Sequence, residues 1–384
     1  MKNKELTRSP GFAALDVETF GKVLQAKENF EYGQHEMYFR DGFPALYELE
    51  SHVAMLVGAD KGRVLLTNTG MSALYTAIEA ASPSKGDLVV HNFQGYSQTE
   101  WLVTEKLTDR GVNHVSVDTG SLSDIEDALK KYSPKIVLFE TVVNGPLMSV
   151  LDVERFLSLP VLQELDPLVI LDNTFPTGSN LPLAEMLQRT DLKVIGVESA
   201  TKSYALNQEL GGVLFTYNEF CLQSLLKNRR GIGTILGPSA VETIRAVVPK
   251  TKEQFDCEHR LATQNTFLLA RTCAEVGSEK FTVSYPNLPT HPNYKYASEY
   301  FPFGAAPAFF IQPTTTDLSA VDLARALESD GVLNDCRLAQ SFCFDKTGVS
   351  FDSKGKYLRI AGGLEDVEAL SHLQEGFRQT LATF

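Results

Sequence analysis

The sequence predicts an α/β protein: a mostly parallel central sheet with helices on both faces, followed by a smaller α/β C-terminal domain. Two features predict the sheet. Short β-branched apolar runs alternate with helical stretches between about residues 50 and 215, the pattern of strands joined by helical crossovers. Several of these runs are apolar almost without interruption, as strands covered on both faces require. A third feature, a change of texture beyond about residue 236, marks the second domain. The chain has 384 residues, 43% hydrophobic and 22% charged, enough for two ordinary cores.

Taken in order, residues 1–45 are polar with little periodicity and read as an arm that needs another surface to rest on. The strand candidates are RVLLTN, DLVVHN, HVSVD, KIVLFET, LVILDNT, KVIGVES and GGVLFTY, which place the main domain over 46–235. From Ser239 to Val276 apolar residues recur at helical spacing. A Pro/Tyr-rich loop and the strand-like run AAPAFFIQP follow, so 236–384 forms the second domain. A buried sheet puts ligands beyond its carboxyl strand ends.

Composition excludes several functions. With 35 basic and 48 acidic residues, a net charge of −13, and no Lys/Arg stripe, nucleic acid is not an expected partner. Nothing approaches the roughly 20 apolar residues of a membrane helix, and the N-terminus has no apolar stretch after its charges, so a cytoplasmic protein is expected. The five cysteines lie at wide spacings with no C-x-x-C pair, which points to neither a metal site nor a disulfide framework.

Three places carry chemistry. Asp172 ends the apolar strand V-I-L-D-N-T. A carboxylate leaving a buried strand needs a partner, and a protonated ring nitrogen is one; a helix cap is the competing reading. Lys202 ends E-S-A-T-K after another apolar strand, with Ser199 and Thr201 beside it. An amine flanked by hydroxyls suits an aldehyde cofactor with a phosphate tail, against the alternative of a solvated surface lysine. In T-N-T-G-M-S-A-L, Gly70 permits close approach and the N–H groups opening the helix form an anion site, although such turns are common where nothing binds.

In order and spacing these residues resemble the Cys/Met-metabolism (trans-sulfuration) pyridoxal 5'-phosphate (PLP) enzymes of fold type I, over about residues 38 to 370. The resemblance implies that the backbone of Gly70 and Met71 in Thr69-Gly70-Met71 holds phosphate. It makes Tyr96 the residue stacked on the ring and places Asn144, in Glu140-Thr141-Val142-Val143-Asn144-Gly145-Pro146, near the ring 3-oxygen. Asp172-Asn173-Thr174 would hold the ring nitrogen, and Ser199-Ala200-Thr201-Lys202 the phosphate and the Schiff base. Tyr38 and Arg40, in Y-F-R, resemble a motif that reaches the phosphate of a neighbouring subunit, which implies a homodimer or homotetramer. Arg359, in Y-L-R-I-A-G-G-L-E-D-V, would grip the substrate α-carboxylate. No metal is implied.

The chain also departs from the family pattern. Glu198 stands where the family usually has His, Ser203 follows Lys202 where Tyr is usual, and Gln98 occupies the position that is typically Cys in methionine γ-lyases. Over 331–350 the family's Ser-Leu-Gly-Gly and His-Pro-x-x-x-Thr-His segments are absent, with Gln340 and Ser341 the nearest match, so Ser341 is the second expected substrate contact. The resemblance implies γ-elimination or γ-replacement on a homoserine- or homocysteine-type amino acid. Lys202 would serve as general base, and Tyr96 could also take a proton. A β-lyase, a specialised enzyme with an unusual amino-acid substrate, and a PLP-binding regulator or scaffold are the alternatives.

Overall fold

The apolar runs become strands in chain order. The computed structural model describes residues 39–352 and 354–384; Tyr38 and most of the expected arm lie outside the described residues. The strands of the first sheet are β1 (Val64–Thr67), β2 (Leu88–Asn92), β3 (Asn113–Val117), β4 (Ile136–Glu140), β5 (Leu168–Asp172), β6 (Val194–Ser199) and β7 (Gly212–Phe215). Their order across the sheet is β1-β7-β6-β5-β4-β2-β3. The pairs from β3 through β6 are parallel, whereas β7 runs antiparallel to both β6 and β1.

Side-chain alternation explains why these runs are apolar throughout. Val137 and Phe139 of β4 and Val169 and Leu171 of β5 join one buried cluster. Their neighbours Ile136, Leu138, Leu168 and Ile170 join another on the opposite face. Successive strand residues point to opposite faces, so a sheet covered on both sides needs apolar residues at every position. The exception is β3, whose Asn113, His114 and Ser116 are exposed, as an edge strand tolerates.

The helical stretch expected from Ser239 to Val276 is two helices, Pro238–Val247 and Lys252–Val276. Pro249 separates them: it has no N–H to donate, and it forces Val248 to an extended ψ of 135°. Thr251 then caps the second helix by accepting the Gln254 N–H at 3.1 Å. The remaining strands, β8 (Phe281–Ser284), β9 (Phe309–Pro313), β10 (Arg337–Leu338), β11 (Gly348–Phe351) and β12 (Leu358–Ala361), form a second sheet in the order β10-β11-β12-β9-β8. The expected boundary near residue 236 falls between β7 and β8. No helix among the described residues is long and apolar enough to cross a membrane.

Candidate active site

The carboxyl ends of the parallel strands open into a cavity of about 230 Å³. Its lining includes Gly70, Met71, Tyr96, Asn144, Asp172, Ser199, Thr201, Lys202 and Arg359. Of the other expected site residues, Ser341 joins through a hydrogen bond to Lys202. Arg40 lies elsewhere, on a separate surface cleft with Lys227 and Arg230.

At one wall the helix Gly70–Glu79 begins. Thr69 and Ser72 cap it reciprocally: the Ser72 N–H donates to Thr69 Oγ1 at 2.9 Å, and the Thr69 N–H donates to Ser72 Oγ at 3.0 Å. The N–H groups of Gly70 and Met71 have no helical carbonyl to reach, so they are the donors this end offers. Gly70 eases the approach of β6, since a Cβ there would stand a tight 3.2 Å from Ser199 Oγ. Gly212 is needed outright, because a Cβ on it would stand 2.3 Å from the Thr69 carbonyl oxygen.

At the floor, the adjacent parallel strands β4 and β5 bring Glu140 and Asp172 side by side. Asp172 Oδ1 accepts the Thr174 N–H at 2.9 Å, and burial holds the carboxyl above the ordinary Asp range. Thr174 also accepts the Ser199 N–H at 2.9 Å, which ties the ends of β5 and β6 together. Glu140, to which the sequence reading gave no role, accepts the Tyr96 N–H and the Asn144 N–H, each at 2.6 Å. One carboxylate therefore holds both loops that carry the expected ring contacts. Burial, and then the Asp172 charge, raise its pKa to about 7. The signal for it was the one used for Asp172, a carboxylate ending an apolar strand.

Lys202 Nζ donates to Ser341 Oγ at 2.7 Å. Burial, and then the nearby Arg359 charge, hold its amine below the ordinary Lys range. Arg359 projects from β12 of the second sheet, buried between Phe175 and Phe342, each ring centroid 5.7 Å from the guanidinium carbon. Its Nη1 reaches the Gln340 carbonyl at 3.4 Å, and its Nε is buried with no hydrogen-bond acceptor. Tyr96 sits at the rim, its phenol held above its ordinary pKa chiefly by burial and the Asp172 charge. Phe175 and Phe342 could not be foreseen, since folding alone brings residues 175, 342 and 359 together.

A family model described as Cys/Met metabolism PLP-dependent enzyme matches residues 7–377. The chain is 30% identical over 284 residues to an L-methionine gamma-lyase of Fusobacterium nucleatum, covering 71% of this chain and 66% of that protein. It is 32% identical over 210 residues to the cystathionine beta-lyase MetC of Bacillus subtilis, covering 54% of this chain and 50% of that protein. The matches thus span half to just under two thirds of these relatives. Among solved structures, cystathionine gamma synthase from Xanthomonas oryzae is alike in fold, with a TM-score of 0.73 at 23% identity over 92% of this chain and 91% of that one. With the matched residues running through every wall of the cavity, this chain belongs to the Cys/Met metabolism family of PLP-dependent enzymes.

Proposed function

We propose that the protein catalyses γ-elimination or γ-replacement on an amino acid of the homoserine or homocysteine type. The observation that carries the underlying PLP chemistry is one cavity holding the Lys202 amine, the Arg359 guanidinium and the Asp172 carboxylate. These residues fit PLP. Asp172 is an enclosed carboxylate that accepts hydrogen bonds from Thr174, and a protonated ring nitrogen would supply its cation. The orphaned Arg359 Nε leaves a guanidinium edge for a carboxylate, and the first turn at Gly70 and Met71 supplies donors for a phosphate.

Bound PLP supplies an electron sink that lets an amino acid lose a proton from Cα and a group from Cβ or Cγ. The chain's own residues do the rest. Asp172 would keep the ring nitrogen charged. Lys202 would hold the cofactor and serve as the base at Cα; burial and Arg359 lower its pKa towards the operating range of such a base. Arg359 orients the substrate through its α-carboxylate so that the Cα proton faces Lys202. Tyr96 and Asn144, both fixed by Glu140, would hold the ring. Met71, Leu74, Val142, Phe175 and Phe342 give the cavity apolar walls, suited to an uncharged side chain.

Likeness to a methionine gamma-lyase over 71% of the chain supports the γ reading. The slightly higher identity to a cystathionine beta-lyase, over 54% of the chain, supports a β-lyase as the second reading. The test is an absorbance spectrum of the purified protein, then titration with O-acetylhomoserine, methionine, cystathionine and cysteine while 2-oxo acid and ammonia are assayed. A visible band that Lys202→Ala abolishes is the expected result. Release of a four-carbon 2-oxo acid supports γ chemistry and a three-carbon acid the β-lyase; a band that survives Lys202→Ala overturns the assignment of Lys202.

A further inference from the structure

We infer that Asn207 is a positioning residue for Lys202, acting through Ser341. The inference rests on the reading of Lys202 as the cofactor-bearing amine. Its starting point is the segment 331–350, where the family's substrate-side motifs are absent and something else must hold the chain against the lysine.

Asn207 meets that segment with both ends of its amide. Its Oδ1 accepts from Ser341 Oγ at 2.6 Å, and its Nδ2 donates to the Phe342 carbonyl at 2.9 Å and the Cys343 carbonyl at 3.4 Å. Asn207 is itself locked to the turn after Lys202, since its N–H donates to the Thr201 carbonyl and the Leu206 N–H to the Lys202 carbonyl, each at 2.8 Å. Both contacting stretches adopt left-handed backbone, with φ of 47° at Leu206, 58° at Asn207 and 59° at Cys343. Asn tolerates that region, whereas Leu rarely enters it.

The chemical consequence follows from the direction of each bond. A hydroxyl has one proton, and Ser341 gives its proton to Asn207, so only lone pairs face Lys202 Nζ. Ser341 can then accept from Lys202 and cannot donate to it, an arrangement that favours the protonated nitrogen. Burial and Arg359 lower the lysine pKa; the Asn207–Ser341 pair opposes them. The same amide sets Phe342, which packs on the Arg359 guanidinium, so one residue holds both the amine and the carboxylate grip in place.

The test is a pH titration of the holoenzyme's visible absorbance, whose midpoint reports the Lys202 nitrogen. Ser341→Ala and Asn207→Ala should each lower the midpoint by about one unit, the scale of one hydrogen bond to a charged group, and the double variant should lower it no further. Asn207→Asp keeps the acceptor for the Ser341 proton, so its midpoint should lie at or above wild type. A wild-type midpoint in Asn207→Ala alongside a lowered one in Ser341→Ala overturns the inference, as do additive shifts. Should Asn207→Ala fail to fold, a midpoint below wild type in Asn207→Asp overturns it alone. Loss of the band in Lys202→Ala alongside one of the overturning outcomes leaves the assignment of Lys202 standing and rejects only the positioning role.

Discussion

Asp172 and Glu140 end neighbouring strands, and Glu198 ends the next one but one residue short, yet each carboxylate has a different task. Asp172 keeps a side open to the cavity. Glu198, fully buried, accepts from Asn173 Nδ2 at 2.9 Å and from the Tyr204 hydroxyl, and burial raises its pKa to about 7. The folded state therefore holds this proton more tightly than the unfolded chain does. That contribution is fully present below the ordinary Glu value of 4.5 and is lost as pH rises through about 7. Between pH ~5 and ~8 the wild type should lose roughly 2–3 kcal/mol of stability relative to Glu198→Gln. Urea unfolding of both proteins at the two pH values checks this, and parallel curves would assign the pH dependence to other groups. The family's usual His at this position could not signal such behaviour; only the enclosure around Glu198 does.

At the scale of elements, the strands were legible because a two-sided sheet demands unbroken apolar runs, and a polar residue at the end of such a run stands out. The helix Gly70–Glu79 was legible in the same way. Its capping box was not foreseen, because Ser72 is not the usual Glu or Gln at that position. Thr69→Ala should cost about 1 kcal/mol of stability and should also speed cofactor loss, since the cap sets the direction of the Gly70 and Met71 N–H groups. Unfolding of the apoprotein and the rate of PLP release after dilution measure the two effects separately. Unchanged release with lowered stability would confine the cap to a structural role. The stretch 331–350 was opaque because it folds as a short 3₁₀ turn at Val332–Asp335 and two brief strands, none long enough to impose a period.

For the whole molecule, the cavity needs both sheets: Asp172 ends one strand of the first and Lys202 follows another, and Arg359 stands on β12 of the second. Arg40 lies outside that cavity, on a cleft with Lys227 and Arg230, the placement that a residue serving a neighbouring subunit would have. If it does serve one, Arg40→Ala and Lys202→Ala should each be nearly inactive, and the two mixed under exchange should recover about a quarter of wild-type activity. Half the random dimers are then mixed, each with one whole site. Sedimentation of the mixture verifies that subunits exchange, and exchange without recovery would place Arg40's role within its own subunit.

The sequence by itself determined the strands, the order of the cofactor-side residues and the chemistry they suit, because those depend on local apolar runs ended by single polar groups. Only the tertiary structure decided how residues distant along the chain share one cavity. Glu140 under the loops of Tyr96 and Asn144, Arg359 between Phe175 and Phe342, and Asn207 turned onto Ser341 are contacts made across chain reversals. No spacing encodes such contacts, since it is packing of the two sheets and the turns between them that closes the distance.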